Sequence, residues 1–152
     1  MTRVRASIAI AALASEAEEL WYDPRRWPTF IDGLHHVARL EGDWPHEGSR
    51  VLWDSNPGGR GRVQEHVTAY AAREGQTLDV EDGKIRGTQT VTFTPTDTGV
   101  TVTLELRYEL KDRKPFMPVF DLLFIRRPQR DSLARTLRRF RTEVTAERES
   151  SV

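Results

Sequence analysis

The residues best equipped for proton-transfer chemistry stand next to each other in the run Val63-Gln64-Glu65-His66-Val67. On a strand, alternate side chains share a face, so a register that points Val63 and Val67 inward also points Glu65 inward. A carboxyl group in apolar surroundings loses the hydration of its charged form and keeps its proton to higher pH, which suits a general acid or base for enolisation or dehydration. A slip of one residue would turn His66 inward instead, together with Gln64 and Tyr70, and an imidazole that titrates near neutrality can do the same work. Glu65 and His66 are therefore the two catalytic candidates. The plainer alternative is that Glu65 faces solvent or meets a basic side chain. Gln89 stands in the same relation to Val91 and Phe93 and is a candidate polar contact inside the same space.

Other chemistries find less support. The chain has no cysteine, which removes disulfides, thiolate metal sites, iron–sulfur clusters and cysteine nucleophiles and fits a reducing, cytoplasmic setting. His35 and His36 are adjacent, so on a strand they point to opposite faces and do not share an ion; His46 and His66 are the remaining imidazoles. The glycine-rich run Asn56-Pro57-Gly58-Gly59-Arg60-Gly61-Arg62 lacks the Lys-Ser/Thr and the following helix of a phosphate-binding loop, and reads as a hairpin turn. No serine sits in a nucleophile elbow. No metal and no cofactor is expected. Lys+Arg and Asp+Glu are 23 each, so no overall charge draws the protein to nucleic acid. Residues 126–141 do concentrate Arg126, Arg127, Arg130, Arg135, Arg138, Arg139 and Arg141 against Asp131, either as a solvated helix face or as an interaction surface for an acidic partner or a membrane.

The elements that must position these groups follow from periodicity. With 152 residues, 38% hydrophobic and 30% charged, the chain is about one domain, expected over residues 1–148 with a disordered tail at 149–152. No window approaches ~18 consecutive apolar residues, so no integral membrane segment is expected. Val4, Ala6, Ile8 and Ile10 alternate with polar or small residues and predict a strand rather than a secretion signal. Ser15 and Glu18 suggest a capping box ahead of a helix over Glu16 to Tyr22, and Asp23-Pro24 starts a second short helix running to Ile31, with Trp27 and Phe30 on one face. From 34 to 111 the period is two, and turn residues divide the stretch into about six antiparallel strands. Val100, Val102, Leu104, Leu106, Tyr108 and Leu110 face one way in the last of them. Val119, Leu122, Leu123, Leu133, Leu137, Phe140 and Val144 then recur at helical spacing, with Pro128 expected to kink or split that helix.

The order strand, two short helices, six strands, long helix resembles the helix-grip fold of the SRPBCC or START-like superfamily, which includes bacterial polyketide cyclases. Leu20-Trp21-Tyr22-Asp23-Pro24-Arg25-Arg26-Trp27-Pro28-Thr29-Phe30 is similar to the family's junction between its two short helices. Gly61-Arg62-Val63-Gln64-Glu65, followed by Val67 and Tyr70, is similar to its G-x-V-x-E strand. The resemblance implies an α+β helix-grip fold: a curved seven-stranded antiparallel sheet wrapped around a long C-terminal helix, with an apolar cavity between them. Trp27, Phe30, Trp53, Gln89, Phe93, Tyr108, Phe116, Phe120 and Phe124 would line that cavity or its mouth. The expected partner is a small hydrophobic or amphipathic molecule, held by a monomer or homodimer with no nucleic acid involved. A polyketide cyclase/dehydratase-like enzyme using Glu65 or His66, and a protein-interaction module using the arginine-rich face, are the alternatives.

Overall fold

The computed structural model describes residues 1–111 and 126–150. Strand β1 (Thr2–Ile10) leads into helices α1 (Ala14–Trp21) and α2 (Trp27–Phe30). Strands β2 (Leu34–Glu41), β3 (Arg50–Ser55), β4 (Arg62–Ala71), β5 (Gly75–Glu81), β6 (Ile85–Thr96) and β7 (Gly99–Leu110) follow, and helix α3 covers Arg127–Ser150. The strands form one curved seven-stranded sheet in the order β1-β7-β6-β5-β4-β3-β2, antiparallel throughout. β2 to β7 thus form a meander, and β1 closes it by pairing with β7. This is the helix-grip architecture.

The alternation of β7 explains its place across the core. Val100, Val102, Leu104, Leu106 and Tyr108 are all buried, whereas Thr101, Thr103 and Glu105 stay half-exposed on the other face. Each such apolar side chain contributes roughly 1.5–3 kcal/mol by leaving water. Val4, Ala6 and Ile8 of β1 stand opposite Leu106, Leu104 and Val102, so the two strands extend one apolar surface. Close pairing also dictates a glycine: a Cβ on Gly87 would lie 1.9 Å from the Arg107 carbonyl oxygen across β6 and β7. On that surface lies α3, packed most closely along β1 and α2, with Leu133, Leu137, Phe140 and Val144 buried at helical spacing.

Three local expectations change. α1 begins at Ala14, and the Leu13 N–H donates to the Glu16 carboxylate at 2.9 Å, so Glu16 rather than Glu18 completes the N-terminal cap. Glu18 turns inward instead: its side chain is buried and accepts from Arg73 at 2.9 Å and from the Tyr70 hydroxyl at 3.3 Å. α2 is a single turn from Trp27, because a helix starting at Pro24 would require Pro28 to donate an N–H to the Pro24 carbonyl, and proline has none. Asp23 and Pro24 form a turn, in which the Asp23 carboxylate accepts from the Arg25 N–H at 3.1 Å. Trp27 and Phe30 are nonetheless both buried. Helix α3 continues through Glu149 and Ser150, which the sequence assigns to a tail, and the turns that Pro128 is expected to split off lie outside the described residues. Val119, Leu122 and Leu123 lie outside the described residues.

Part of the arginine excess is used internally. Asp32, in the turn between α2 and β2, accepts from Ser132 at 2.8 Å, from Arg135 at 3.0 and 3.2 Å, and from Arg139 at 3.2 Å, while its N–H donates to Thr136 Oγ1 at 2.9 Å. Burial alone would push the Asp32 carboxyl up, but the hydrogen bonds from Arg135 and Ser132 and the charges of Arg135 and Arg139 hold it below the ordinary value. A carboxyl depressed in the folded state contributes stability above its unfolded pKa and loses it as pH falls through the folded one. Asp32→Asn should therefore cost about 1–2 kcal/mol at pH 7 in denaturant unfolding, with the deficit fading below about pH 4. An equal deficit at pH 7 and pH 3 would show that the charge of Asp32 is not what ties α3 to this turn.

Candidate functional site

Between the sheet, the two short helices and α3 lies a cavity of about 60 Å³. That is room for about two waters, so any larger guest displaces side chains. The chain has four tryptophans, and Trp21, Trp27, Trp44 and Trp53 all stand in its wall, joined among the described residues by Ile31, Leu78, Val80, Val91, Leu104 and Leu133. Trp27 packs edge-on against Trp44 at 5.1 Å, and their indole N–H groups donate to the carbonyls of Trp21 and Tyr22, each at 2.8 Å. Two of the four indoles are thereby fixed to the α1 terminus.

Trp53 differs, because its indole N–H donates to Glu65 Oε1 at 2.5 Å. The register explains the meeting: Val63 of β4 is opposite Trp53 of β3, so Glu65 is the diagonal neighbour on the same face. Val63 and Val67 are buried on either side of it. A bulge between Val67 and Ala69 then shifts the phase of β4, which turns Tyr70 inward as well. Burial pushes the Glu65 carboxyl up; the hydrogen bond from Trp53 and the charge of Arg60 pull it partly back, and the net direction is upward.

Arg60 reaches the cavity from the β3–β4 turn. Gly58 and Gly61 have φ of +81° and +75°, a left-handed region glycine enters without strain, and the Gly61 N–H donates to Ser55 Oγ at 2.8 Å. This turn carries the guanidinium back over Trp53, its central carbon 5.6 Å from the ring centroid. Arg60 Nε donates to Asp82 Oδ2 at 2.8 Å, which joins the β3–β4 turn to the β5–β6 turn. Arg60 Nη2 is buried without a hydrogen-bond partner. Gln89 and Gln76 are the other polar side chains from the sheet, and Gln76 donates to the Pro45 carbonyl at 3.0 Å.

The candidates from sequence divide accordingly. Glu65, Trp27, Trp53 and Gln89 come together in the cavity wall. Phe30, Phe93 and Tyr108 are fully enclosed in the core behind it: Phe30 packs against Trp21 and Phe140 at 5.5 and 5.1 Å, and Phe93 against Tyr22 at 6.1 Å. Phe116, Phe120 and Phe124 lie outside the described residues. His66 is on the opposite face of the sheet with Gln64, beside an open depression of about 740 Å³ whose rim carries Arg62, Glu81, Arg86 and Glu109. That depression is larger, but several of its charges are engaged in ion pairs, among them Arg86 with Glu109 and Glu81 with Lys111, and α3 lies on the other side. Sequence reasoning missed Trp21, Trp44 and Arg60. A tryptophan inside the polar Gly42–Gly48 turn was a usable signal for Trp44; nothing local marked Arg60. Among the described residues, no three His, Asp or Glu side chains gather around a common point as metal ligands, and no helix is long and apolar enough to cross a membrane.

Residues 1–145 match the family model described as polyketide cyclase / dehydrase and lipid transport. Among solved structures, the protein TTHA0849 of Thermus thermophilus superposes with a TM-score of 0.73 at 20% identity, covering 96% of this chain and 99% of that one. Norcoclaurine synthase from Thalictrum flavum, in complex with dopamine and hydroxybenzaldehyde, gives a TM-score of 0.69 at 14% identity over 95% and 87% of the two chains. DynU16, a putative protein in the dynemicin biosynthetic locus, gives 0.65 at 16% identity, over 94% of this chain and 47% of that one. At these identities the likeness is one of fold. No curated protein matches by sequence.

Proposed function

Because the chain belongs to the polyketide cyclase/dehydrase and lipid transport family, we propose that it binds a small amphipathic molecule in the cavity between the sheet and α3. The observation that carries this reading is the convergence of all four tryptophans on one space that also holds a desolvated carboxyl group. Ligand sites combine apolar and aromatic walls with a few placed polar groups, and this wall has that composition. The aromatic body of a guest would displace side chains along Trp21, Trp27 and Trp44, with its polar end toward Glu65, Gln89 and Arg60. The absence of cysteine supports a cytoplasmic setting.

The test is a titration with 1-anilinonaphthalene-8-sulfonate followed by tryptophan fluorescence. Saturation at one dye per chain, quenching of the tryptophans and displacement by a medium-chain fatty acid are expected. Absence of saturable binding by the native protein would overturn the reading.

Glu65 favours a second reading, an enzyme of the cyclase or dehydratase kind. A carboxyl group that stays protonated to higher pH can give a proton to a carbonyl oxygen or leaving hydroxyl and later take one from a carbon acid. Trp53 fixes its orientation, as such a role requires. Both readings use the same cavity and differ in whether the guest leaves changed.

A further inference from the structure

Buried polar groups normally have partners, and a charged donor left without one is costly enough to demand an explanation. Arg60 Nη2 is such a donor, and it belongs to a side chain that lines the cavity. Two contacts orient the guanidinium: Nε is bound to Asp82, and the central carbon stands 5.6 Å from the Trp53 ring centroid. Asp82 is itself fixed, with a side chain only 3% exposed and Oδ1 accepting from the N–H groups of Lys84 and Ile85 at 2.8 and 2.9 Å. The arginine is therefore preorganised, with a buried nitrogen left unused. Glu65 does not take it, since its hydrogen bond runs to Trp53 and its relation to Arg60 is through charge alone.

We propose that Arg60 Nη2 selects the guest, by donating to an sp² oxygen conjugated to an aromatic ring, a carbonyl or a carboxylate, while that ring lies along the tryptophan wall. The inference rests on the binding reading and sharpens it, because it states which polar end the guest carries and which residue reads it. A planar oxygen acceptor suits the donor: the Asp82 ion pair orients the planar guanidinium, and a charge-assisted hydrogen bond in a desolvated site is about twice as strong as a neutral one. Since Asp82 already balances the charge of Arg60, a neutral carbonyl satisfies the nitrogen as well as a carboxylate does. The arms of the experiment separate the two.

Single-ring probes suit a small cavity. Toluene, acetophenone and benzoate share the ring and differ in the acceptor, and the four indole N–H resonances in two-dimensional NMR report binding of each. The native protein should bind at least one of the two acceptor-bearing probes about tenfold more tightly than toluene, ~1.4 kcal/mol. Arg60→Met, similar in length and apolar, should bring that preference, taken against toluene in the same variant, to within about twofold. Arg60→Lys keeps the ion pair with Asp82, so it serves if the methionine variant does not fold. Its single nitrogen is then occupied by Asp82, and the preference should fall at least fivefold. A preference that persists in either folded variant, or no preference in the native protein that binds toluene, would overturn the role of Arg60. Failure of all three probes to bind native protein that does bind the anilinonaphthalene dye would overturn it too, whereas failure of the dye as well would remove the binding reading beneath it.

Discussion

Leu137→Asp is expected to abolish the cooperative thermal transition. Leu137 is 1% exposed at the centre of the α3 face that meets the sheet, between Leu133 and Phe140, and it belongs to the one core that also holds Val4, Leu104 and Leu106. Two costs combine. Truncating a buried leucine removes about 2–5 kcal/mol of packing and transfer free energy, and placing a carboxylate there without a partner adds several more. Domains of this size are stable by about 5–15 kcal/mol, so the sum consumes most or all of the margin. Leu137→Ala, which incurs only the first cost, should remain folded with a lower midpoint. Circular dichroism melts of both variants decide the matter: a Leu137→Asp protein with native Tm would mean that α3 is not gripped through this face.

Much of that grip is legible in the amino-acid sequence alone. The strict alternation of Val100 to Tyr108 and the helical spacing of Leu133, Leu137, Phe140 and Val144 each leave one apolar face, and both faces must be buried in the one core the chain can build. The register of Glu65 is only half legible: Val63 and Val67 bracket it, a slip of one residue would turn His66 inward instead, and the burial of both valines is what decides between them. What stays hidden depends on contacts distant in sequence. Glu18 reads as a helix cap because its true partners, Arg73 and Tyr70, are more than fifty residues away. Asp32 carries no local mark of the four α3 side chains that close on it, and seven arginines in a row of turns look like a free surface until Arg135 and Arg139 are seen on Asp32. Wall and core are also indistinguishable in composition. Phe30, Phe93 and Tyr108 are as apolar as Trp27 and Trp53, and only packing decides which of them border empty space. Arg60 is the clearest case: a glycine-rich turn does announce a hairpin, but not that its arginine folds back over a tryptophan into the cavity.

Glu65→Gln separates the carrier from the enzyme. The amide is isosteric and keeps an oxygen that can accept the Trp53 indole N–H, so the wall is preserved while the exchangeable carboxyl proton is lost. Most binding free energy comes from apolar burial, so guest affinity should stay within about tenfold, ~1.4 kcal/mol. Stability should move in a direction fixed by the raised carboxyl. A carboxyl whose folded pKa exceeds its unfolded one makes folding take up a proton, so native stability declines as pH rises from about 4.3 through the folded pKa. The glutamine variant escapes that decline and should gain on the native protein in denaturant unfolding at pH 8 relative to pH 4. On chemistry the expected effect is far larger: for a guest that the native protein enolises or dehydrates, removal of the acid/base group should lower turnover on the order of 10²- to 10⁴-fold with binding retained. His66→Gln, on the outer face, should change neither binding nor turnover. A Glu65→Gln protein that turns over such a guest at the native rate would take Glu65 out of the chemistry, and an affinity loss beyond a hundredfold would make it an anchor for the guest rather than its proton carrier.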